Sequence, residues 1–216
     1  MKKIVLLLAL SAGLGLAAKA QDKPVSFGVK AGVAFANMDF SVMGISLSMD
    51  TKTSFYVGAN ADIKVSELLS LQPGLTFINK GTKSSASSFD DGGFSLESEE
   101  ATLNLSYLEL PVNLLANFNA GSGKFFVGAG PYAGYALSGN TKSGGVKEDL
   151  TFGSGEDDIK RFDFGANFLT GYQLSNGLSI NAGYSFSLGN LANDNNSGLD
   201  GKAKNKVFSV GLGFRF

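Results

Sequence analysis

The sequence predicts an all-β fold: an eight-stranded antiparallel up-and-down transmembrane β-barrel preceded by a cleavable signal peptide. Three observations carry this. Long segments alternate apolar and small polar residues with a period of two. The connections between them alternate between long and short. The chain holds 29 Gly and 18 Phe but only 17% charged residues, a charge content that is low for a surface meant to face water.

The first element is a processing segment at residues 1–20. Lys2 and Lys3 precede a largely apolar stretch from Ile4 to Ala18, and Ala18-Lys19-Ala20 forms a small-x-small cleavage site before Gln21. This is the layout of a secretory signal, and it is too short and Gly-rich for a spanning helix. Residues 21–216 form one domain of ordinary size. Removing Lys2, Lys3 and Lys19 takes the formal charge from -1 to -4, so nucleic acid is not an expected partner. The chain has no Cys, which removes both disulfides and lipid acylation of a cysteine as sources of stability or anchorage.

The strands follow in order. Successive side chains of a strand point to opposite faces, so strict alternation marks one. It is present in Phe27 to Phe35, Phe55 to Val65, Leu71 to Phe77, Phe125 to Leu137 and Phe162 to Leu174. The clearest case is Leu178 to Leu188, where Leu178, Ile180, Ala182, Tyr184, Phe186 and Leu188 share one face. Ala101 to Phe118 changes phase: Leu103 and Leu105 set one parity, and Leu108, Leu110, Val112 and Leu114 the other. A β-bulge near Tyr107 would restore a single apolar face. The terminal VFSVGLGFRF supplies the eighth strand, with Phe208, Val210, Leu212, Phe214 and Phe216 on one face.

Ser66 to Ser70, Asn119 to Gly123 and Ser175-Asn176-Gly177 read as short turns, while Met38 to Lys52, Ser84 to Glu100, Gly139 to Lys160 and Leu191 to Asn205 read as long polar loops. Four long loops at one end and short turns at the other is the asymmetry of outer-membrane barrels. The small Gly, Ser and Asn residues then face a narrow interior and the bulky apolar ones face lipid, the reverse of a soluble ligand-binding barrel. The last strand is expected to pair with the first, since hydrocarbon leaves no tolerance for an open edge. Phe214 and Phe216 fall at the near interface, and the terminal Phe is similar to a carboxyl-terminal signal for outer-membrane assembly machinery.

On the inward face the reading places Lys30, Asp62, Lys64, Gln72, Glu109, Asp163, Asn167, Gln173 and Arg215. Lys30, Lys64 and Arg215 balance Asp62, Glu109 and Asp163, as a low-dielectric interior requires. The expected role is a salt-bridged plug rather than an ion path. Asp90, Asp91, Glu97, Glu99 and Glu100, with Glu156-Asp157-Asp158, read as acidic loop surface. Asn193 to Gly198 has some calcium-loop offsets, but Asn stands first and Lys204 holds the twelfth position, where a bidentate Glu is needed. No metal and no cofactor is expected. The chain has no His and no Cys, so triad hydrolysis and thiol chemistry are excluded, and no enzymatic role is expected.

SLQPGLTFINKG (70–81), YLELPVNLL (107–115), GPYAGY (130–135) and RFDFGANFLTGY (161–172) together resemble the Bacteroidota-type outer-membrane β-barrel family, the PorT-like group. That resemblance implies an outer-membrane location, and some members of the group serve secretion or gliding machinery. The expected function is a structural or interaction protein presenting four loops at the cell surface. The alternatives are a narrow channel or solute-binding barrel, or an accessory subunit of a secretion or surface-assembly complex. Expected partners are outer-membrane lipid and lipopolysaccharide, the assembly machinery and a protein bound through the loops, with the chain itself a monomer.

Overall fold

The computed structural model describes residues 25–42, 45–85, 100–153, 159–192 and 201–216. The signal segment 1–20, the acidic residues Asp90, Asp91, Glu97 and Glu99, the run Glu156-Asp157-Asp158 and the stretch Asn193 to Gly198 lie outside them.

Alternation makes strands here, and they are longer than the sequence suggests. Eight long strands are β1 (Val25–Val42), β3 (Lys52–Lys64), β4 (Leu69–Ser85), β5 (Glu100–Ala120), β6 (Gly123–Ser143), β8 (Phe162–Gln173), β9 (Leu178–Ser187) and β10 (Gly201–Arg215). Two short ones join them, β2 (Ile45–Ser48) and β7 (Val146–Asp149). The expectation of a plain eight-stranded up-and-down barrel is therefore corrected. The strands form one ten-stranded sheet whose path, β10-β9-β8-β6-β5-β4-β3-β1-β2, passes through nine strands and ends on β2 instead of forming a simple eight-membered ring. β7 lies off this path as a branch on β6. The reason lies in stretches assigned to loops: the chain beyond β1 and beyond β6 folds back as four-residue strands, Asp39↔Ser48 to Val42↔Ile45 and Asn140↔Asp149 to Ser143↔Val146. All named ladders are antiparallel, and the expected pairing of last strand with first is present, from Gly28↔Arg215 to Val42↔Gly201.

One face of the long strands carries the exposed large hydrophobics. They include Val29, Val33 and Phe35 on β1, Leu110, Val112 and Leu114 on β5, and Phe208, Val210, Leu212 and Phe214 on β10, with Phe216 just past its end. Fatty side chains left exposed in rows on every long strand belong to a surface that meets hydrocarbon. The opposite face lines the interior, where the expected small residues make room for aromatic rings. Gly32 stands directly opposite Tyr56, Gly165 opposite Tyr132 and Gly171 opposite Phe126. A Cβ on Gly165 would lie 2.6 Å from the Tyr132 ring and 2.0 Å from the Phe186 carbonyl oxygen. Gly is thus required by the close approach of ring and backbone.

The phase change near Tyr107 has a different origin from the one expected. A register shift does fall between Ser106 and Tyr107, but Tyr107 pairs with Ala136 and Ser106 with Ser138. The extra residue is Leu137, on β6. β5 keeps its parity throughout, with Leu105, Tyr107, Glu109, Asn113 and Leu115 all buried. Leu103 and Leu105 turn inward because the loop end of the interior is apolar. There Met38, Leu105, Ala136, Leu191 and Ala203 pack together, with Phe152, Ile159 and Leu150 against them.

The short turns sit where expected, and Gly177 closes β8–β9 with φ +89°, a conformation that side chains resist. We predict that Gly165→Val destabilises the folded chain by about 1–3 kcal/mol through overpacking against Tyr132. Urea unfolding in detergent followed by circular dichroism measures it, and Gly165→Val unfolding at the wild-type urea concentration contradicts it.

Candidate functional site

The interior is built in three levels, each fixed by strand parity. At the short-turn end Arg215 of β10 reaches Asp62 of β3, its Nη2 2.9 Å from Oδ2. Gln72 donates to the same oxygen over 3.4 Å. Lys64 is exposed there and lines a cavity of about 510 Å³ with Ser70, Asn117 and Gln173. Expected as an interior charge, Lys64 therefore stands at the rim.

Above the Asp62–Arg215 pair lies a second cavity of about 120 Å³, lined by Lys30, Tyr56, Thr76, Glu109, Asn113 and Asn167 among others. Gln173 and Arg215 line both spaces. The half-buried Lys30 ammonium stands 5.9 Å from the centre of the Tyr56 ring, whose hydroxyl donates to Asn181 Oδ1 at 2.9 Å. The Thr76 hydroxyl and the Asn113 carbonyl oxygen are buried with no protein partner. A polar space of this size holds several waters, each able to satisfy such groups.

The third level is the densest. Lys80 of β4 is fully buried, its Nζ 2.6 Å from Glu109 Oε1 on β5 and 3.0 Å from Asp163 Oδ2 on β8. The Tyr132 hydroxyl donates to Asp163 at 3.2 Å, and the Asn205 amide donates to the same oxygen at 3.3 Å. The ammonium also stands 4.6 Å from the Tyr132 ring centre and 5.2 Å from that of Tyr107. Two carboxylates and two ring faces thus surround one cation, replacing its hydration by charge and π electrons. Lys52 is buried nearby and donates to the Lys80 carbonyl oxygen over 3.1 Å and to the Asn79 side chain.

Of the charged residues singled out from the sequence, Asp62 and Arg215 meet each other, Glu109 and Asp163 meet at Lys80, Lys30 stands in the cavity, and Lys64 lies outside the network. Lys80 is not among the residues expected from the sequence, because the apolar alternation of Leu71 to Phe77 ends three residues before it. The signal was present: Gln72, Gly74, Thr76, Ile78 and Lys80 share one parity, and β4 continues to Ser85. Phe214 and Phe216 are exposed on the apolar face, 47% and 65%, with Phe214 opposite Val29. Among the described residues no group of three His, Cys, Asp or Glu could hold a metal ion.

The family described as outer membrane protein beta-barrel domain matches residues 19–193. No curated protein matches the chain. The outer membrane protein OprG from Pseudomonas aeruginosa is similar in structure, with a TM-score of 0.52 and 12% identity over 90% of this chain and 97% of that one. Neisserial surface protein A gives a TM-score of 0.47 with 15% identity, covering 90% and 100% of the two chains. Ail, the attachment invasion locus protein of Yersinia pestis, gives 0.42 with 14% identity over 90% and 100%. At such identities the likeness concerns the fold alone.

Breaking the Lys80 cluster is expected to be costly. Lys80→Met leaves two buried carboxylates without their cation and should lose about 3–5 kcal/mol of unfolding free energy. The triple variant K80M/E109Q/D163N removes all three charges and should recover most of it. Equal urea midpoints for Lys80→Met and wild type would contradict this.

Proposed function

The chain belongs to the outer membrane protein beta-barrel domain family, and for this outer-membrane protein, spanning by β-strands, we propose a structural or interaction role with a sealed interior and no enzymatic activity. The observation that carries the proposal is the filling of the interior: the fully buried Lys80 with Glu109 and Asp163, capped toward the loop end by Leu105, Leu191, Met38 and their neighbours. Segments 150–153 and 159–161 support the cap. Ile159 bridges to Phe152 and to Ala192, and the Arg161 guanidinium stacks 4.9 Å from the Phe152 ring centre. An apolar stopper above a salt-bridged charge cluster leaves ions no hydrated route.

In this reading the four loop ends face the cell exterior and offer surface to lipopolysaccharide and to a protein partner, while the sealed chain acts as a monomer. Phe214 and Phe216 serve as the signal taken up by the assembly machinery. The segments 70–81, 107–115, 130–135 and 161–172 resemble the PorT-like group, and that resemblance makes an accessory place in a secretion or surface-assembly complex the alternative for the same loops. A second reading, a solute-binding pocket, is favoured by one observation: the two polar cavities meet at Arg215 and Gln173. Such a pocket would open at the short-turn end and stop at Lys80.

Planar-bilayer recording tests the seal. We expect no stable single-channel current from wild type, and none from Arg215→Ala, because that change enlarges the inner cavity without touching the stopper. Large stable currents from either protein would overturn the sealed interior. Stoichiometric recovery of a partner after mild crosslinking, lost on deletion of residues 86–99, is the result expected of an interaction role.

A further inference from the structure

The outward face of β10 changes character at one point. Phe208, Val210, Leu212 and Phe214 are exposed and apolar, and the same parity continues upward as Lys206, Lys204 and Lys202. Lys202 is exposed, and Lys206 keeps 44% of its side-chain area in contact with solvent. The phase is set by the backbone, so a strand that turns Phe208 into hydrocarbon turns these lysines to the same outer side. Their height follows from the rise of about 3.3 Å per residue. Lys206 stands about 7 Å along the strand beyond Phe208, and Lys202 about 20 Å beyond it. With the strand tilt of membrane sheets, this places the three ammonium groups from the edge of the apolar band through the headgroup layer.

Among the described residues one carboxylate serves three cations on this face. Asp39 on β1 pairs with Lys206 and stands opposite Lys204 in the ladder, while Lys202 and Lys204 form no salt bridge among the described residues. The neighbouring sector repeats the pattern: Lys83, Thr102, Lys142 and Lys147 stand opposite one another across β4, β5, β6 and β7. Among the described residues Lys147 is the member of that row with a salt bridge, to Asp149 at 3.0 Å. Like charges facing across a ladder, as Lys142 and Lys147 do, cost stability unless an anion lies between them. At the short-turn end the sign of the rim differs, with Lys64 and Lys124 near Glu67 and Asp62 around the interior opening.

We propose that the outward lysines at the loop end, Lys202, Lys204 and Lys206 foremost, form a docking surface for the phosphate-bearing headgroup of an outer-leaflet lipid. The proposal rests on the outer-membrane reading and deepens it. Charge complementarity and continuity with the apolar row select the occupant. An amphiphile lays its acyl chains along Phe208 to Phe216 and its phosphates along the lysines, whereas a free anion would use only half of this surface and a soluble protein would have to displace lipid from the other half. Lysine suits the task as a flexible point charge that reaches into the headgroup layer.

The test uses the full processed chain, folded in detergent and titrated with bisphosphorylated lipid A by native mass spectrometry. Wild type should bind it, K202Q/K204Q should bind about thirtyfold more weakly from the loss of two interfacial cations, and K64Q/K124Q at the other end should match wild type. Binding should weaken as salt rises, and lipid A stripped of both phosphates should bind no better to wild type than to K202Q/K204Q. Equal affinity of K202Q/K204Q and wild type for the phosphorylated lipid overturns the proposal. So does displacement of bound lipid by millimolar inorganic phosphate, which would mark a site for the free anion. Failure of the underlying reading looks different: the chain would then be absent from the outer-membrane fraction, whereas failure of the lipid site leaves insertion intact.

Discussion

A bilayer offers no hydrogen bonds, so every backbone N–H and C=O that passes through it must be paired within the sheet. The rest of this structure depends on that constraint. It explains why the last strand lies against the first over a run from Gly28↔Arg215 to Val42↔Gly201, and why the Phe216 amide still donates to the Phe27 carbonyl oxygen, at 2.9 Å, past the end of β10. Once the backbone is satisfied in this way, side chains have only two directions available. Outward positions are apolar because they meet hydrocarbon, and inward positions must share a restricted space.

The restricted space explains the two inner chemistries. Tyr56, Phe126 and Tyr132 each cross over a facing glycine, so aromatic bulk is absorbed where a second side chain would collide. Charges are absorbed by pairing. Lys80 has no access to solvent and is held between Glu109 and Asp163. Removing a buried charge's partner is far more damaging than exchanging the whole set for neutral groups, so the cluster is best understood as one unit. Its position beneath the apolar cluster gives the interior a direction, with polar cavities on the short-turn side and packed hydrophobic side chains on the loop side.

The outer surface has a direction as well. Among the described residues the cations of outward parity gather toward the loop end, on β4, β6 and β10, while the interior contributes none of its own charges to that face. The interior holds most of its charges in salt bridges, at Asp62–Arg215 and around Lys80, whereas on the exterior Lys147 and Lys206 are paired and Lys83, Lys142, Lys202 and Lys204 form no salt bridge among the described residues.

Much of this was legible in the residues themselves. The alternation in Leu178 to Leu188 and Phe208 to Phe216, the Gly177 turn and the inward placing of Asp62, Glu109, Asp163 and Arg215 all follow from a backbone whose successive side chains point to opposite faces. That rule is local, so a single sequence carries it. The two short strands escaped because Ile45–Ser48 and Val146–Asp149 are four-residue segments with no periodicity long enough to read. Leu103 and Leu105 mimic a change of face in the sequence, because they keep their parity and enter an apolar interior that no local pattern announces. Above all, the meeting of Lys80 with Asp163, 83 residues away, required the tertiary structure. Which inward charges touch is decided by the curvature of the sheet and the stagger between distant strands, and neither quantity is written in the pattern of any one of them.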